Sequence, residues 1–177
     1  RDIRLFMHQI FQISRGGRAD TVLYVPEANY ILNYKGRYVL LIYGQTSKGV
    51  GMDQYAVGNY GIEGKKGTYV DAEDGELSGS TVEHGSVDSV LRISTTIKPN
   101  GSENVDYWII ASDSQYDCEQ VHKSYLEQSI EKVENGVRRY WLKWLAIGKP
   151  SIDRIDKKYR SLVQKSMMLI ATHCDKR

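Results

Sequence analysis

The 177-residue sequence has only two cysteines and three prolines, and it lacks a long apolar run. Cys118 and Cys174 lie far apart and neither belongs to a CxxC pair, so neither a zinc site nor a disulfide framework is expected. Two reduced thiols in a cytoplasmic protein are the favoured interpretation. The longest apolar run, residues 38–44, suits a buried strand and is far shorter than the roughly 18 residues of a membrane-spanning helix. We therefore expect no membrane partner.

The sequence also lacks an excess of charge of either sign. Its 24 lysines and arginines nearly balance its 22 aspartates and glutamates, which leaves a net charge of +2. No global field attracts nucleic acid or an anionic membrane, so we expect no nucleic-acid partner. Apolar residues make up 41% of the chain and charged residues 26%, which excludes a disordered protein. A chain of this length can bury the core of one globular domain.

Residue types that often carry catalysis or bind metals are present, but their spacing forms no known motif. The four histidines show no HxH or HExxH spacing, and Ser86 lacks the later glycine that a nucleophile elbow requires. The glycine-rich residues 47–67 do not lead into a helix as a phosphate-binding loop would. We expect this segment to form long loops and bulges with exposed tyrosines. These histidine, serine and glycine patterns therefore predict no catalytic constellation, no metal site and no cofactor.

Up to about residue 113, β-branched and aromatic runs alternate with turn-forming residues, a pattern typical of antiparallel strands. Turns are predicted at Pro26, at Asn33 with Gly36, and at residues 99–101. We expect at least six strands. Besides an alternating stretch at residues 3–7, the candidate runs are residues 10–14, 21–25, 30–34, 37–44, 89–97 and 106–112.

From Ser114 onward, apolar residues recur every three or four positions, which predicts three helices. Gly136 and residues 148–150 are the expected breaks, and Ser151 is a weak start signal for the last helix. Trp141 and Trp144 share one helical face, for which packing is favoured over a sugar-stacking platform. An apolar stripe on the last helix indicates that a further surface covers it. Its members are Ile152, Ile155, Tyr159, Leu162, Val163 and Ile170.

Strands followed by helices, without βαβ alternation, predict a mainly β fold. We expect an antiparallel β-sandwich over residues 1–113, followed by C-terminal linker helices over residues 114–177. The chain begins within a strand pattern and ends within a helical one. From this we expect a piece of a larger protein.

Four carboxylates, Asp71, Glu73, Asp74 and Glu76, lie within six residues. We call residues 71–76 the acid loop. Such a cluster repels itself unless cations, backbone amides or a partner surface compensate it. Three interpretations remain open: a solvated or interface turn, a carboxylate network that anchors a neighbouring domain, and a metal or catalytic site. The spacing does not match a helix-loop-helix calcium site, and neighbours on one loop seldom face each other across a cleft as glycosidase carboxylates do.

The segments around the acid loop resemble a known family. Residues 67–79, GTYVDAEDGELSG, are similar to a GTWRDAEDGELSG pattern, and residues 52–58, MDQYAVG, to a QYAxG pattern. Upstream lie HQIFQIS and ADTVLYVPEANYILNYKGRYVLLIYG, and downstream lie GSVDSV, YWIIAS and YWLKWL. In this order and over nearly all 177 residues, the segments resemble the amino-terminal super-β-sandwich and linker of prokaryotic glucoamylase-type enzymes, glycoside hydrolase family 15.

This resemblance implies inverting, exo-acting hydrolysis of α-glucosidic bonds, with two catalytic glutamates supplied by an (α/α)6 barrel. None of the catalytic residues then lies in this chain. The expected partners are that barrel in the same polypeptide and an α-glucan or glucose-containing oligosaccharide; homo-oligomerisation is left open. Tyr69 and Val70 replace the Trp-Arg pair of the pattern, so a trehalase or glucodextranase specificity is also open. The expected rim or domain-interface residues are Tyr69, Asp71, Glu73, Asp74 and Glu76.

A second hypothesis is a free-standing carbohydrate-binding β-sandwich module without enzymatic activity. Such modules bind sugars on aromatic rings, and the chain has 13 tyrosines and three tryptophans. Its aromatic content of 10% is ordinary, however, so composition does not favour this hypothesis over the first.

Overall fold

The computed structural model describes residues 1–13, 16 and 18–174. The chain forms two compact units, Arg1–Ser124 and Tyr125–Arg177. Two β-sheets make up most of the first unit, and the first helix begins in it. The elements are β1 Asp2–Gln9, β2 Asp20–Val25, β3 Tyr30–Lys35, β4 Tyr38–Thr46, β5 Gln54–Asn59, β6 Val82–Gly85, β7 Val87–Thr96, β8 Val105–Ser112 and α1 Gln115–Leu126.

Every pair of neighbouring strands in the two sheets is antiparallel. The smaller sheet has the order β1-β7-β5 and the larger has the order β6-β2-β3-β4-β8. In the smaller sheet, β1 pairs with β7 from Asp2 opposite Thr96 to Gln9 opposite Ser89. The predicted fold class, a mainly β antiparallel sandwich followed by C-terminal helices, is confirmed.

The inner faces of the two sheets pack against each other. Tyr24 of β2 stacks on Tyr55 of β5, with ring centroids 3.5 Å apart. A Cβ atom at Gly44 of β4 would lie only 2.8 Å from Cδ1 of Ile93 in β7, so the sheets approach closely there. Side chains with no exposed surface include Val22, Ile31, Leu41, Ile42, Leu91 and Ile93. Each such burial stabilises the fold by roughly 1.5–3 kcal/mol, so the sandwich unit has a hydrophobic core of its own.

The prediction of long loops for residues 47–67 is wrong in its middle, where β5 pairs with β7 from Gln54 opposite Arg92 to Asn59 opposite Val87. Glycines suggested a loop by propensity. A glycine is needed at position 58 of this strand because a Cβ atom would lie only 2.8 Å from Cγ2 of Thr68. Tertiary packing thus uses the small size of the glycine rather than its flexibility.

Two further local predictions fail. Residues 10–13 form no strand, and Ser14 of the same predicted run lies outside the described residues. Asn33 does not form a turn: it lies inside β3, opposite Val22 and Leu40, and is fully buried. The turn follows at Gly36, whose φ of 56° lies in the left-handed region that glycine adopts without strain.

Helix α1 packs on the larger sheet through Cys118 and His122, which are 0% and 4% exposed. The strands end with β8 at Ser112, whereas the compact units divide after Ser124, because this helix belongs with the sandwich. The division into residues 1–113 and 114–177 stays a prediction about domains, and residues 175–177 lie outside the described part.

The second unit contains α2 Ile130–Ile147, α3 Lys149–Ile152 and α4 Lys157–His173. Gly136 lies inside α2, so the predicted break there is wrong. The break falls before Ile130, where Oγ of Ser129 accepts the backbone N–H of Lys132. The last helix begins after Asp156, whose Oδ1 accepts the backbone N–H of Lys158 at 3.1 Å, and not at Ser151. Side-chain caps therefore determine where α2 and α4 begin.

Apolar side chains of the second unit remain exposed. Tyr140 of α2 is 52% exposed, and Leu162 and Ile170 of α4 are 64% and 66% exposed. Among the described residues of this unit, Ile152 is the buried apolar one. None of the helices in the described part of the chain is long and apolar enough to cross a membrane.

Candidate functional site

The acid loop begins with a short 3₁₀ helix, Asp71–Asp74, and turns at Gly75, whose φ is 89°. Glu73, Asp74 and Glu76 are exposed, and Asp71 is half-buried. Tyr69, two residues before the helix, is 44% exposed. The loop thus presents three carboxylates and one aromatic ring at the surface of the sandwich unit.

Two arginines of the smaller sheet compensate the charge of the acid loop. Nη1 of Arg92 lies 3.0 Å from Oε2 of Glu76 and donates to the carbonyl of Gly75 at 2.8 Å. Nη1 of Arg4 lies 3.0 Å from Oε1 of Glu76 and donates to the same carbonyl at 3.1 Å. Because Arg4 is on β1 and Arg92 on β7, the loop is held on the outer face of its own sheet.

Arg92 is the less exposed of the two arginines, with 10% of its side chain accessible against 51% for Arg4. Its Nε and Nη2 donate to Oδ2 of Asp53, at 2.9 and 2.5 Å. A nearly buried guanidinium needs such partners, because an unpaired charge there would be costly. Asp53 and Glu76 together supply them.

Glu76 also accepts a hydrogen bond from Nε2 of Gln54 at 2.5 Å. This bond and those from Arg92 lower the pKa of the Glu76 carboxyl below its ordinary value. Oε1 of Gln54 in turn accepts the backbone N–H of Leu77 at 2.8 Å. Glu76 is therefore a charged anchor of the loop over the whole neutral pH range.

The other carboxylates make local bonds. Oδ2 of Asp71 accepts the backbone N–H of Ser78 at 2.7 Å, and Oδ1 of Asp74 accepts that of Glu76 at 2.9 Å. Cations and backbone amides of the same unit therefore compensate the cluster. Whether Tyr69, Asp71, Glu73, Asp74 and Glu76 lie at a substrate rim or a domain interface stays a prediction.

A second anchor holds the start of the loop. Oδ2 of Asp88, on β7, accepts the backbone N–H of Thr68 at 2.6 Å and its hydroxyl at 3.0 Å, and lies 2.8 Å from Nε2 of His8. Asp88 is fully buried, and its Oδ1 has no hydrogen-bond partner among the described residues. Residues 68–76 are thus fixed at both ends to the outer face of β7.

Sequence reasoning missed these anchors, although a signal existed. Arg92 interrupts the apolar run of β7, and Asp88 follows Val87 in the same strand. Charged residues at buried positions require partners of opposite charge, and the acid loop contains carboxylates that can pair with Arg92. The sequence did not show that the loop and β7 lie together, because β6, which pairs with β2 in the other sheet, separates them along the chain.

A cleft of about 530 Å³ lies beside the loop. Its polar groups largely bond to one another: Nζ of Lys65 donates to Oδ1 of Asn59 at 2.9 Å and lies 4.0 Å from Glu83. Of the four carboxylates of the acid loop, Asp71 alone lines this cleft. The structure therefore does not bring the predicted site residues together into one binding cleft.

Within the described residues, no three His, Cys, Asp or Glu side chains are placed so that they could hold a metal ion. Opposed carboxylates across a cleft, as glycoside hydrolysis needs, are not formed by the acid loop either, because its side chains lie on one short turn. What the arrangement offers is a rigid, negatively charged surface feature.

The helical unit has an apolar groove of about 470 Å³ lined by residues of α2 and α4. Trp141 and Trp144 meet edge to face in it, with centroids 5.5 Å apart. The remaining lining residues are Tyr140, Met167, Ile170, Ala171 and Cys174. The tryptophans thus form part of an apolar helical surface, and packing as their role stays a prediction.

No protein-family model and no curated protein matches the sequence. A solved structure is similar in fold: a bacterial glucoamylase complexed with acarbose, with a TM-score of 0.63 and 12% sequence identity. The match covers 80% of this chain and 20% of that chain. This chain therefore spans about one fifth of the glucoamylase's length and has a glucoamylase-like fold.

Proposed function

We propose that this chain is the noncatalytic sandwich and linker-helix part of a glucoamylase-like α-glucan hydrolase of glycoside hydrolase family 15. In that enzyme a catalytic barrel of the same polypeptide removes glucose from chain ends with inversion. The observation that carries the proposal is the likeness in fold to a bacterial glucoamylase over 80% of this chain. The order of sequence segments around the acid loop supports it.

The helical unit is the part of the chain proposed to meet the barrel. Exposed apolar side chains on two adjacent helices, such as Tyr140 and Ile170, need a surface that removes them from water. A helical barrel in the same polypeptide provides one. The two free thiols, Cys118 and Cys174, agree with a cytoplasmic enzyme.

We assign Tyr69, Glu73 and Asp74 to the rim of the active site or to the contact with the barrel. Glu76 is assigned a different role, because its carboxylate bonds to Arg4, Arg92 and Gln54. It holds the loop in place, so that the three more outward side chains have a fixed position.

The test compares this chain with the complete polypeptide, each incubated with maltoheptaose. We expect β-glucose from the complete polypeptide, identified by its anomeric proton signal, and no glucose from residues 1–177 alone. A complete polypeptide without activity on α-glucans, trehalose or dextran would overturn the proposal, and so would glucose release by this chain. Tight binding of maltoheptaose by an inactive complete polypeptide would support a carbohydrate-binding module instead.

The role of the acid loop is tested in the complete polypeptide with the double variant Glu73→Gln, Asp74→Asn. We expect kcat/KM to fall by about tenfold or more, or barrel stability by about 1.5–3 kcal/mol, as for one lost hydrogen bond to a charged group. Glu63→Gln, at an exposed position outside the loop, is the matched control. Unchanged melting and kinetics in the double variant would show a merely solvated loop.

A further inference from the structure

Helix α1 contacts the larger sheet through an unusual pair of side chains. Its buried residues are Cys118 and His122, one helical turn apart on the same face. The thiol of Cys118 points at the carbonyls of Val39 and Ile110, at 3.8 and 3.7 Å. A titratable imidazole is therefore one of the two buried side chains by which the helix docks.

Three aromatic side chains surround His122. Ring centroids of Tyr43, Tyr30 and Trp108 lie 4.8, 5.7 and 5.8 Å from that of the imidazole. These residues come from β4, β3 and β8, so the histidine bridges three strands. At 4% exposure it has little contact with water.

One hydrogen bond fixes the protonation state of the histidine. Nε1 of Trp108 donates to Nδ1 of His122 at 3.2 Å. An indole nitrogen can only donate, so Nδ1 must keep its lone pair and the imidazole must be neutral. A proton on Nδ1 would face the N–H edge of the indole, which carries positive charge and does not stabilise a cation as a ring face would.

The other titratable groups around His122 do not replace it as the pH-sensitive one. On α1, the Glu119 carboxylate accepts the Tyr30 hydroxyl at 2.6 Å, which lowers its pKa, and Lys123 faces Glu119. On the sheet, burial raises the pKa of Tyr43, and burial with the bond to Glu119 raises that of Tyr30 to about 12. Burial also raises the pKa of the Cys118 thiol on α1.

We propose that His122 is an acid-sensitive latch that holds helix α1 on the larger sheet when neutral and releases it when protonated. Since α1 follows β8 at the end of the sandwich unit, release frees this part of the chain from the larger sheet. The inference goes beyond the proposed function and does not depend on it.

The direction of the effect follows from proton linkage. Burial outweighs the attraction of Glu119 and lowers the pKa of His122 in the docked helix below the ordinary value of about 6.5. The undocked helix then binds the proton more tightly than the docked one. Docking is fully stabilised above about pH 6.5, and each further pH unit downward weakens it by up to tenfold until the docked form is itself protonated.

The experiment measures hydrogen exchange of the α1 amides from residue 118 to 124, corrected for intrinsic rates, between pH 7.5 and 4.5. We expect protection to fall at least fivefold in the wild-type chain. His122→Gln, whose amide oxygen can accept the indole N–H but does not titrate, should keep protection constant. The imidazole signals of the wild-type chain give the pKa directly, whatever the folding of the variant.

A second variant removes the indole donor together with part of the ring. Trp108→Phe should raise the pKa of His122 towards its ordinary value and make the fall in protection shallower. The proposal is overturned if His122 titrates at or above about 6.5 in the wild-type chain. Equal loss of protection in the His122→Gln variant on acidification would also overturn it, because another group would then be responsible.

Discussion

The two compact units bury their apolar residues very differently. In the sandwich, β3, β4 and β7 carry side chains with no exposed surface, such as Ile31, Leu41 and Leu91. In the helical unit, Leu162, Leu169 and Ile170 of α4 are each more than 60% exposed. Since apolar burial is the main stabilising term in folding, the sandwich stabilises itself and the helices depend on additional contacts.

Charge separates the units as well. Residues 1–124 contain 12 lysines and arginines against 16 aspartates and glutamates, while residues 125–177 contain 12 against 6. The sandwich is therefore net negative by four charges and the helical unit net positive by six. The near-neutral total hides two fields of opposite sign, so the surface that covers the helices is expected to be acidic as well as apolar.

The largest effect is expected from a change in the core of the sandwich, and it tests whether this core alone stabilises the unit. Leu91→Ala removes a fully buried side chain of β7 and should lower the free energy of unfolding by about 3 kcal/mol, since a cavity remains. The matched change Leu162→Ala, at a 64% exposed position of α4, should cost less than about 0.5 kcal/mol. Urea unfolding followed by resolved amide signals measures both, with signals of β3 and β4 for the first variant and of α4 for the second. Similar losses would mean that the helical unit contains a core after all.

A smaller effect is expected at the acid loop. Arg92→Met leaves Asp53 and Glu76 without their shared cation and should destabilise the sandwich by about 2 kcal/mol. Arg4→Met, at the more exposed arginine, should cost less than about 1 kcal/mol. Thermal melting of both variants in low and high salt measures the two losses of stability. Equal losses would show that burial of the Arg92 guanidinium is unimportant.

Changes on the exposed face of α4 should have the smallest effect on folding stability. They should nevertheless have a measurable effect on self-association. Leu169→Gln and Ile170→Gln should leave the melting temperature of the sandwich within about 2 °C, because surface changes of this kind seldom exceed 0.5 kcal/mol. They should reduce any self-association of the isolated chain, measured by sedimentation. Stronger association of the double variant would contradict an apolar contact surface on α4.

How far the sequence predicts the structure differs between elements. β2, β3 and β4 were predictable, because their alternation and apolar runs coincide with burial. β5 was not, since Gly58 reads as a loop signal until Thr68 is placed beside it. The buried Asn33, which resembles a turn residue in the sequence, shows the same limit: position in the sheet overrides local propensity.

For the candidate site, the sequence indicated the cluster of acids but not its partners. That Asp71, Glu73, Asp74 and Glu76 need compensation follows from charge alone. That Arg92 and Arg4 provide it requires the register of β1 with β7, a pairing between distant parts of the chain. The sequence did not indicate the role of His122 either, because the aromatic side chains around it come from three different strands.

The pairing of β1 with β7 has a consequence for synthesis of the protein. Asp2 lies opposite Thr96, so about 94 further residues must be synthesised after Asp2 before β1 can pair fully with β7. At roughly 5–20 residues per second, the nascent β1 remains without its neighbour for about 5–20 s. During that time its backbone donors and acceptors form an open edge that another chain can pair with. Slow translation before residue 96 should therefore favour aggregation of the nascent chain, and chaperone binding to β1 should suppress it.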